Sequence, residues 1–334
     1  MIHHTVLRGL FALVIGLFLS AAAQAQLFRT YIAPDGVDGN PCTLVAPCRL
    51  LPAAIAAVID GGEIWMLGSA NYNTAPVNIN KSVTILAIPG ALGSVVAISG
   101  NAINIATAGV RVSLRNLVIV PFVGGGGTNG ISMSAGASLT VENCLVANLP
   151  GDGIVVAGPV NGRISDTTIR GNSGFGLWVR DGARATVTHS TISGNVQTGV
   201  VVYGAANTTT ADIADSTISY NGNGVYAQSA NAAATIKVSV HDSRIVGNTE
   251  LGITGYSAFG AIVTLSASNN IISNNGTGIK ANSPGARLWA NGNTVSDNGT
   301  GLINSGGLLE SASDNAVRNN TVQSTGTITP VSKM

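Results

Sequence analysis

Charged side chains are scarce in this 334-residue sequence, 15 Asp and Glu against 16 Lys and Arg, so those able to do chemistry can be followed one at a time. No two acids are adjacent. Asp215 and Asp242 each stand three residues before an isoleucine, and the same offset before comparable aliphatic residues holds Glu142, Asp166, His189, Asn269, Gly292 and Asp314. If the intervening segments stack, Asp215 and Asp242 come within about 5 Å of each other, one strand spacing. Carboxylates that close raise a pKa or hold a cation between them, and His189 would be an isolated base in the same row. The plainer alternative is that short polar residues recur there because a turn does. The densest charge is Arg163, Asp166, Arg170, Arg180, Asp181 and Arg184. Guanidinium groups bind the carboxylates of an acidic glycan, although Arg–Asp pairs equally well solvate an exposed turn.

These residues gain meaning from a repeat. An aliphatic residue followed three positions later by Asn recurs as Leu145/Asn148, Ile169/Asn172, Ile192/Asn195, Ile218/Asn221, Ile245/Asn248, Ile272/Asn275, Val295/Asn298 and Val317/Asn320. The asparagines are 24, 23, 26, 27, 27, 23 and 22 residues apart, and seven of the eight units continue into Gly plus an aliphatic residue, from Gly153-Ile154 to Gly301-Leu302. Within a unit the apolar residues alternate at period two, and the runs are too short and Gly-rich for helices. Three short strands with tight turns fill such a unit. The expected fold is therefore all-β, a right-handed parallel β-helix of about ten coils, each about 4.8 Å above the last. Leu145, Ile169, Ile192, Ile218, Ile245, Ile272 and Val295 form one expected inner row, Ile154 through Leu302 a second, and Val187, Ile213 and Val240 part of a third. Each Asn is expected to accept a left-handed backbone and to bond its own main chain or the next Asn.

The ends and the compartment are also readable. Arg8, the apolar run Leu10–Leu19 and Ala23-Gln24-Ala25 make residues 1–25 a signal peptide, with Gln26 the expected mature start. Residues 26–61 read as an N-terminal cap, with a short helix over Leu51–Ile59 behind Pro52 and Gly61 as its stop, and residues 62–334 as the β-helix. In an oxidising compartment Cys42 and Cys48 pair across their Pro-flanked loop, while Cys144 reads as a buried thiol. The protein is expected to be secreted or periplasmic, with no membrane span in its mature part. Balanced charge and few lysines speak against a nucleic-acid partner. Gly124–Gly127 lacks the Lys of a phosphate loop, and Asp35-Gly-Val-Asp-Gly-Asn is built of ordinary turn pairs, so neither is assigned a site.

In the strand after each recurring Gly, the residues flanking the buried aliphatic face outward. They read Trp178 and Arg180, Val201 and Tyr203, Tyr226 and Gln228, Thr254 and Tyr256, Lys280 and Asn282. Four aromatic rings thus fall on one face at intervals near the length of one pyranose. Flat rings beside polar groups suit sugar stacking. Aromatic residues also favour strand surfaces for reasons unrelated to any ligand.

The Gly-aliphatic and Asn phrases, with the opening Tyr31-Ile-Ala-Pro-Asp-Gly-Val-Asp-Gly-Asn-Pro-Cys, resemble the right-handed β-helix repeat proteins of the pectate-lyase-like superfamily. That resemblance spans essentially the whole mature chain and implies the fold rather than a reaction, because its members include polysaccharide lyases, hydrolases, epimerases and adhesins. The Asn-Thr-Asp, Asp-Asp and Gly-His-Gly motifs of polygalacturonase-like members do not occur. Three readings follow. The first is an exported carbohydrate-binding or surface-interacting β-helix with no evident cofactor, using Trp178, Arg180, Tyr203, Tyr226, Gln228 and Tyr256 on a polysaccharide or cell-surface glycan. The second is a polysaccharide lyase or related glycan-modifying enzyme, with Ca2+ between Asp215 and Asp242 and with Arg170 or Arg180 near the sugar acid, all converging in one groove. The third is an adhesin or envelope scaffold.

Overall fold

The computed structural model describes residues 27–332; the expected signal peptide and Gln26 lie outside the described residues. The chain winds into a parallel β-solenoid of about eleven turns, with three sheets of 13, 11 and 11 strands. Strand β1 (Leu27–Ile32) opens the first sheet and pairs in parallel with β2 (Val58–Met66), so the sheet begins inside the segment expected to be only a cap. Between them lie the Cys42–Cys48 disulfide and helix α1 (Leu51–Ala57). The helix is two residues shorter than expected, because Val58 and Ile59 already belong to β2 and Gly61 sits within that strand. The Asp38 carboxylate accepts the backbone N–H groups of Arg49 and Leu50 at 2.9 and 2.7 Å, which gives the Asp-Gly-Asn turn its structural role. Leu51, Ala54 and Ile55 close the end of the core.

Each coil thereafter supplies one strand to each sheet in order, as in Arg184–Thr188, Thr191–Ser193 and Thr198–Gly204. The apolar alternation buries the expected rows. Ile169, Ile192, Ile218, Ile245, Ile272 and Val295 are in register and fully buried, as are Ile154, Leu177, Val200, Val225, Ile253 and Ile279, while Leu302 is nearly so. Leu145 departs from this. It is one place out of register, paired with Thr168, and Val146 takes the slot beside Ile169.

The same slip explains Asn148, which does not join the asparagine ladder. That ladder runs Asn172, Asn195, Asn221, Asn248, Asn275, Asn298 and Asn320, each Nδ2 donating to the next Oδ1 at 2.8 to 3.0 Å. The same Oδ1 atoms accept the backbone N–H of the preceding Asn, and from Asn221 onward Nδ2 also donates to a carbonyl of the coil before. In the coil of Asn148 the slot belongs to Leu149, whose N–H donates to Asn172. The left-handed residue is not the ladder Asn but the one before it: Gly171, Gly194, Tyr220, Gly247, Asn274, Asp297 and Asn319, with Asn148 in the same role.

A second ladder, not anticipated from the sequence, links the first sheet to the second. The N–H groups of Cys144, Thr167, Ser190, Ser216, Ser243, Asn270 and Asn293 each donate to the side-chain oxygen of the next coil's residue at 2.9 to 3.3 Å. Cys144 Sγ accepts the Leu117 N–H at 3.4 Å, one coil earlier, and burial pushes the thiol up to about 11, so it is a packing residue with no thiolate at neutral pH. The recurring glycines have a separate cause. A Cβ on Gly176 would stand 2.6 Å from the Gly199 carbonyl oxygen, so the coils approach too closely there for any side chain.

Asn248→Ala removes the acceptor used by both the N–H and the Nδ2 of Asn221. Each unmet buried donor costs about 1–3 kcal/mol, so the urea midpoint should fall by an amount equivalent to several kcal/mol. The exposed Arg163→Ala serves as the reference; equal midpoints in the two variants would refute a ladder role for Asn248.

Candidate functional site

The third sheet puts the expected surface residues in two adjacent columns. Trp178, Val201, Tyr226, Thr254 and Lys280 are register partners in successive coils, and Arg180, Tyr203, Gln228, Tyr256 and Asn282 form the neighbouring column. The four rings therefore alternate between columns instead of piling up in one. Trp178 meets Phe175 and Tyr203 edge to face, with centroids 5.5 and 6.5 Å away. The Arg180 guanidinium lies 4.4 Å from the Trp178 centroid, while its Nε donates to Asp181 at 2.6 Å. Between the rings Val201 and Thr254 are buried although they point outward, so the aromatic side chains form a half-buried apolar strip along the sheet. Burial, then the nearby Tyr256 and Glu250, push the Tyr226 phenol up. Trp178 Nε1 and Thr254 Oγ1 find no hydrogen-bond partner among the described residues.

The residues of the lyase reading do not converge. Asp166, His189, Asp215, Asp242 and Asn269 occupy the left-handed position between first and second sheets, at φ of 48 to 56°, and Asn143 fills it in place of Glu142. Asp and Asn tolerate that backbone better than other residues with a Cβ, which accounts for the row without invoking chemistry. Arg170 stands on the second sheet and lines a cleft with Asp166, whereas Arg180 lies on the third. The charge cluster of the sequence is thus dispersed over three faces, because consecutive strands of a coil belong to different sheets. Among the described residues no group of three or more His, Cys, Asp or Glu side chains is placed to hold a metal ion.

The structure also assembles a group that the sequence reading missed. His241 Nδ1 lies 2.9 Å from Asp242 Oδ2, and its Nε2 lies 3.5 Å from Asp212 Oδ1 of the preceding coil. The hydrogen bond with Asp242, and behind it the charge of Asp212, raise the imidazole above 6.5 against the opposing effect of partial burial. The same bond holds the Asp242 carboxyl below its ordinary value. Only the register reveals the contact, since Asp212 and His241 are 29 residues apart in the sequence.

A continuous solenoid with three parallel sheets, a stacked asparagine ladder and an aromatic outer strip defines the class to which this chain conforms. The family described as "Right handed beta helix region" matches residues 101–264 and 199–329, more than half of the chain, and the chain belongs to that family. Among solved structures it is similar to the pectate lyase Pel9A, at 15% identity over 88% of this chain and 79% of that one, with a TM-score of 0.62. XylC in complex with xylose gives 8% identity, coverage of 80% and 69%, and a TM-score of 0.62. The A-module of the Azotobacter vinelandii mannuronan C-5 epimerase AlgE6 gives 14%, 84% and 93%, with 0.52. At these identities the likeness is one of fold. No curated protein matches the chain by sequence.

Because the folded-state pKa of His241 lies above 6.5, its stabilising contribution is complete below that pH and lost as pH rises through the folded pKa. An NMR titration should place His241 above 6.5, with Asp242→Asn bringing it back toward that value. A titration at or below 6.5 in the unmodified protein would rule the pairing out.

Proposed function

We propose that the protein is an exported, non-catalytic glycan-binding β-helix that lays a polysaccharide along its axis over the third sheet. The observation that carries this reading is the strip of Trp178, Tyr203, Tyr226 and Tyr256, four half-buried rings on one face, one to each successive coil. A chain of pyranoses running parallel to the axis would advance by about one sugar per coil rise of about 4.8 Å. Arg180, Gln228, Lys280 and Asn282 supply polar groups beside the rings for sugar hydroxyls. The disulfide, together with the leader expected over residues 1–25, supports export to an oxidising compartment. Solved structures of similar fold include a pectate lyase, a xylose complex and a mannuronan epimerase module, so this scaffold is used on carbohydrates elsewhere. The lyase alternative gains nothing from the geometry, since Asp215 and Asp242 sit at one corner while Arg170 and Arg180 stand on two different sheets.

The test is a panel of neutral and uronic-acid polysaccharides, with and without Ca2+, scored for retention of the protein and for new unsaturated or reducing ends. Retention without products is expected, weakened about tenfold in Trp178→Ala, the loss that accompanies about 1.4 kcal/mol of stacking. Products that vanish in Asp242→Asn would instead establish the enzyme, and absence of retention across the panel would leave the scaffold.

A further inference from the structure

The column of Trp178 continues toward the N-terminus, where its register partners are Val155, Ser132, Asn104 and Asn78, all uncharged. Beside them a short amide network spans the same coils. Asn129 Nδ2 donates to Asn101 Oδ1 at 3.0 Å, and Asn104 Nδ2 donates to Asn78 Oδ1 at 3.1 Å. Asp152 joins this network to the rings: its N–H donates to Asn129 Oδ1 at 2.7 Å, and its own Oδ1 accepts the N–H of Phe175 at 2.7 Å. Phe175 is the residue whose ring meets Trp178 at 5.5 Å.

The fold requires only an acceptor at this position. One coil earlier Asn129 supplies it with a neutral amide, in the same bond and at the same distance, so the turn does not account for the charge of Asp152. Nor is that charge paired, since no Lys, Arg or His stands within ion-pair distance of it among the described residues. Burial pushes the carboxyl up, against the opposing N–H of Phe175. The rest of the face does not compensate it. The strands of the third sheet contain two charged residues, Arg180 and Lys280. Arg180 is bound to Asp181 at 2.6 Å and lies over Trp178, while Glu250 is close enough to Tyr226 to help raise its phenol. Around the strip Arg180 and Lys280 are therefore set against Asp152, Asp181 and Glu250, and the cation beside Trp178 is already neutralised.

We infer, resting on the glycan-binding reading of this strip, that it selects a neutral polysaccharide over a uronate one and that Asp152 is the specificity-determining residue. A sugar at the Trp178 end of the strip turns a hydroxyl to the second carboxylate oxygen of Asp152, which accepts it in a charge-assisted hydrogen bond. A uronate in that place sets its own carboxylate against the unpaired charge, and like charge without a cation between is a device for rejecting the wrong ligand. Ser132, Asn104 and Asn78 meet the following sugars with a hydroxyl and amides, groups that serve neutral rings and give a polyanion no counter-charge.

The probes are hexasaccharides in matched pairs, from glucan and glucuronan, galactan and galacturonan, and mannan and mannuronan, titrated calorimetrically into the full chain without divalent cations. Within the pair that binds, the neutral member should bind about tenfold more tightly than its uronate counterpart. Asp152→Asn keeps an acceptor for the Phe175 N–H and removes the charge, so it should strengthen uronate binding and bring the two members within about twofold of each other. Asp152→Ala should instead weaken the neutral member about tenfold, the loss of one charge-assisted contact. A uronate hexasaccharide bound as tightly as its neutral counterpart, or a preference unchanged in Asp152→Asn, would overturn neutral selection by Asp152; with binding still weakened in Trp178→Ala, the strip itself would stand. Absence of binding to every hexasaccharide by the unmodified protein would remove the glycan-binding strip and the selectivity with it.

Discussion

From Asn172 onward each coil is fixed to the next by the side-chain amide of a buried asparagine. From Asn221 to Asn298 the amide donates forward to the next Asn and back to a carbonyl, while its oxygen accepts two N–H groups of the coil before. A buried amide left half-satisfied would cost more than an apolar residue in its place, so the arrangement is stable only as an unbroken series. That constraint sets the register, and the register stacks isoleucine on isoleucine. It also explains why unit length can vary without disturbing the core. The 26- and 27-residue intervals place their extra residues between the third and first sheets, around Ala205–Asn207, Ala230–Ala233 and Ala258–Gly260, away from both ladders.

A fixed register turns sequence distance into surface distance. Residues separated by one unit become neighbours about 4.8 Å apart, so a pattern repeated along the sequence becomes a ruled line on the molecule. The aromatic strip is a line of this kind, and so is the first-sheet column Arg184, Thr210, Lys237, Thr264 and Arg287. They differ in what holds them. Trp178, Phe175, Tyr203 and Arg180 pack on one another and hide the aliphatic residues beneath, whereas Arg184, Lys237 and Arg287 stand apart with hydroxyls between.

The legibility of these features from the sequence followed the strength of their periodicity. The three inner rows and the outward pairs of the third sheet could be read because period-two alternation fixes which side of a strand a residue takes. Leu145 and Asn148 could not be placed correctly, because a one-residue slip preserves the local phrase while reversing every side chain. The same limit hid the second ladder, whose slots are filled in turn by Cys144, Thr167, Ser190, Ser216, Ser243 and Asn270, a series with no common letter but a common side-chain acceptor. The arginine cluster looked compact only because sequence proximity was standing in for proximity in space. In a coil of three strands, residues ten apart face different directions.

Asp242 shows how register decides between two chemistries for one residue. Read along its row, it stacks on Asp215, and the pair invites a cation. In the folded chain its partner is the adjacent His241, whose ring nitrogen takes the carboxylate at 2.9 Å while the other nitrogen faces Asp212. The imidazole thus places its charge where a metal would have stood, and its hydrogen bond holds the Asp242 carboxyl below its ordinary value. The left-handed turn that positions Asp242 is what the backbone requires there, and the histidine gives its charge a partner. A carboxylate in such a place is accounted for by the fold, which is why the outward columns, whose side chains the fold does not require, carry the functional argument.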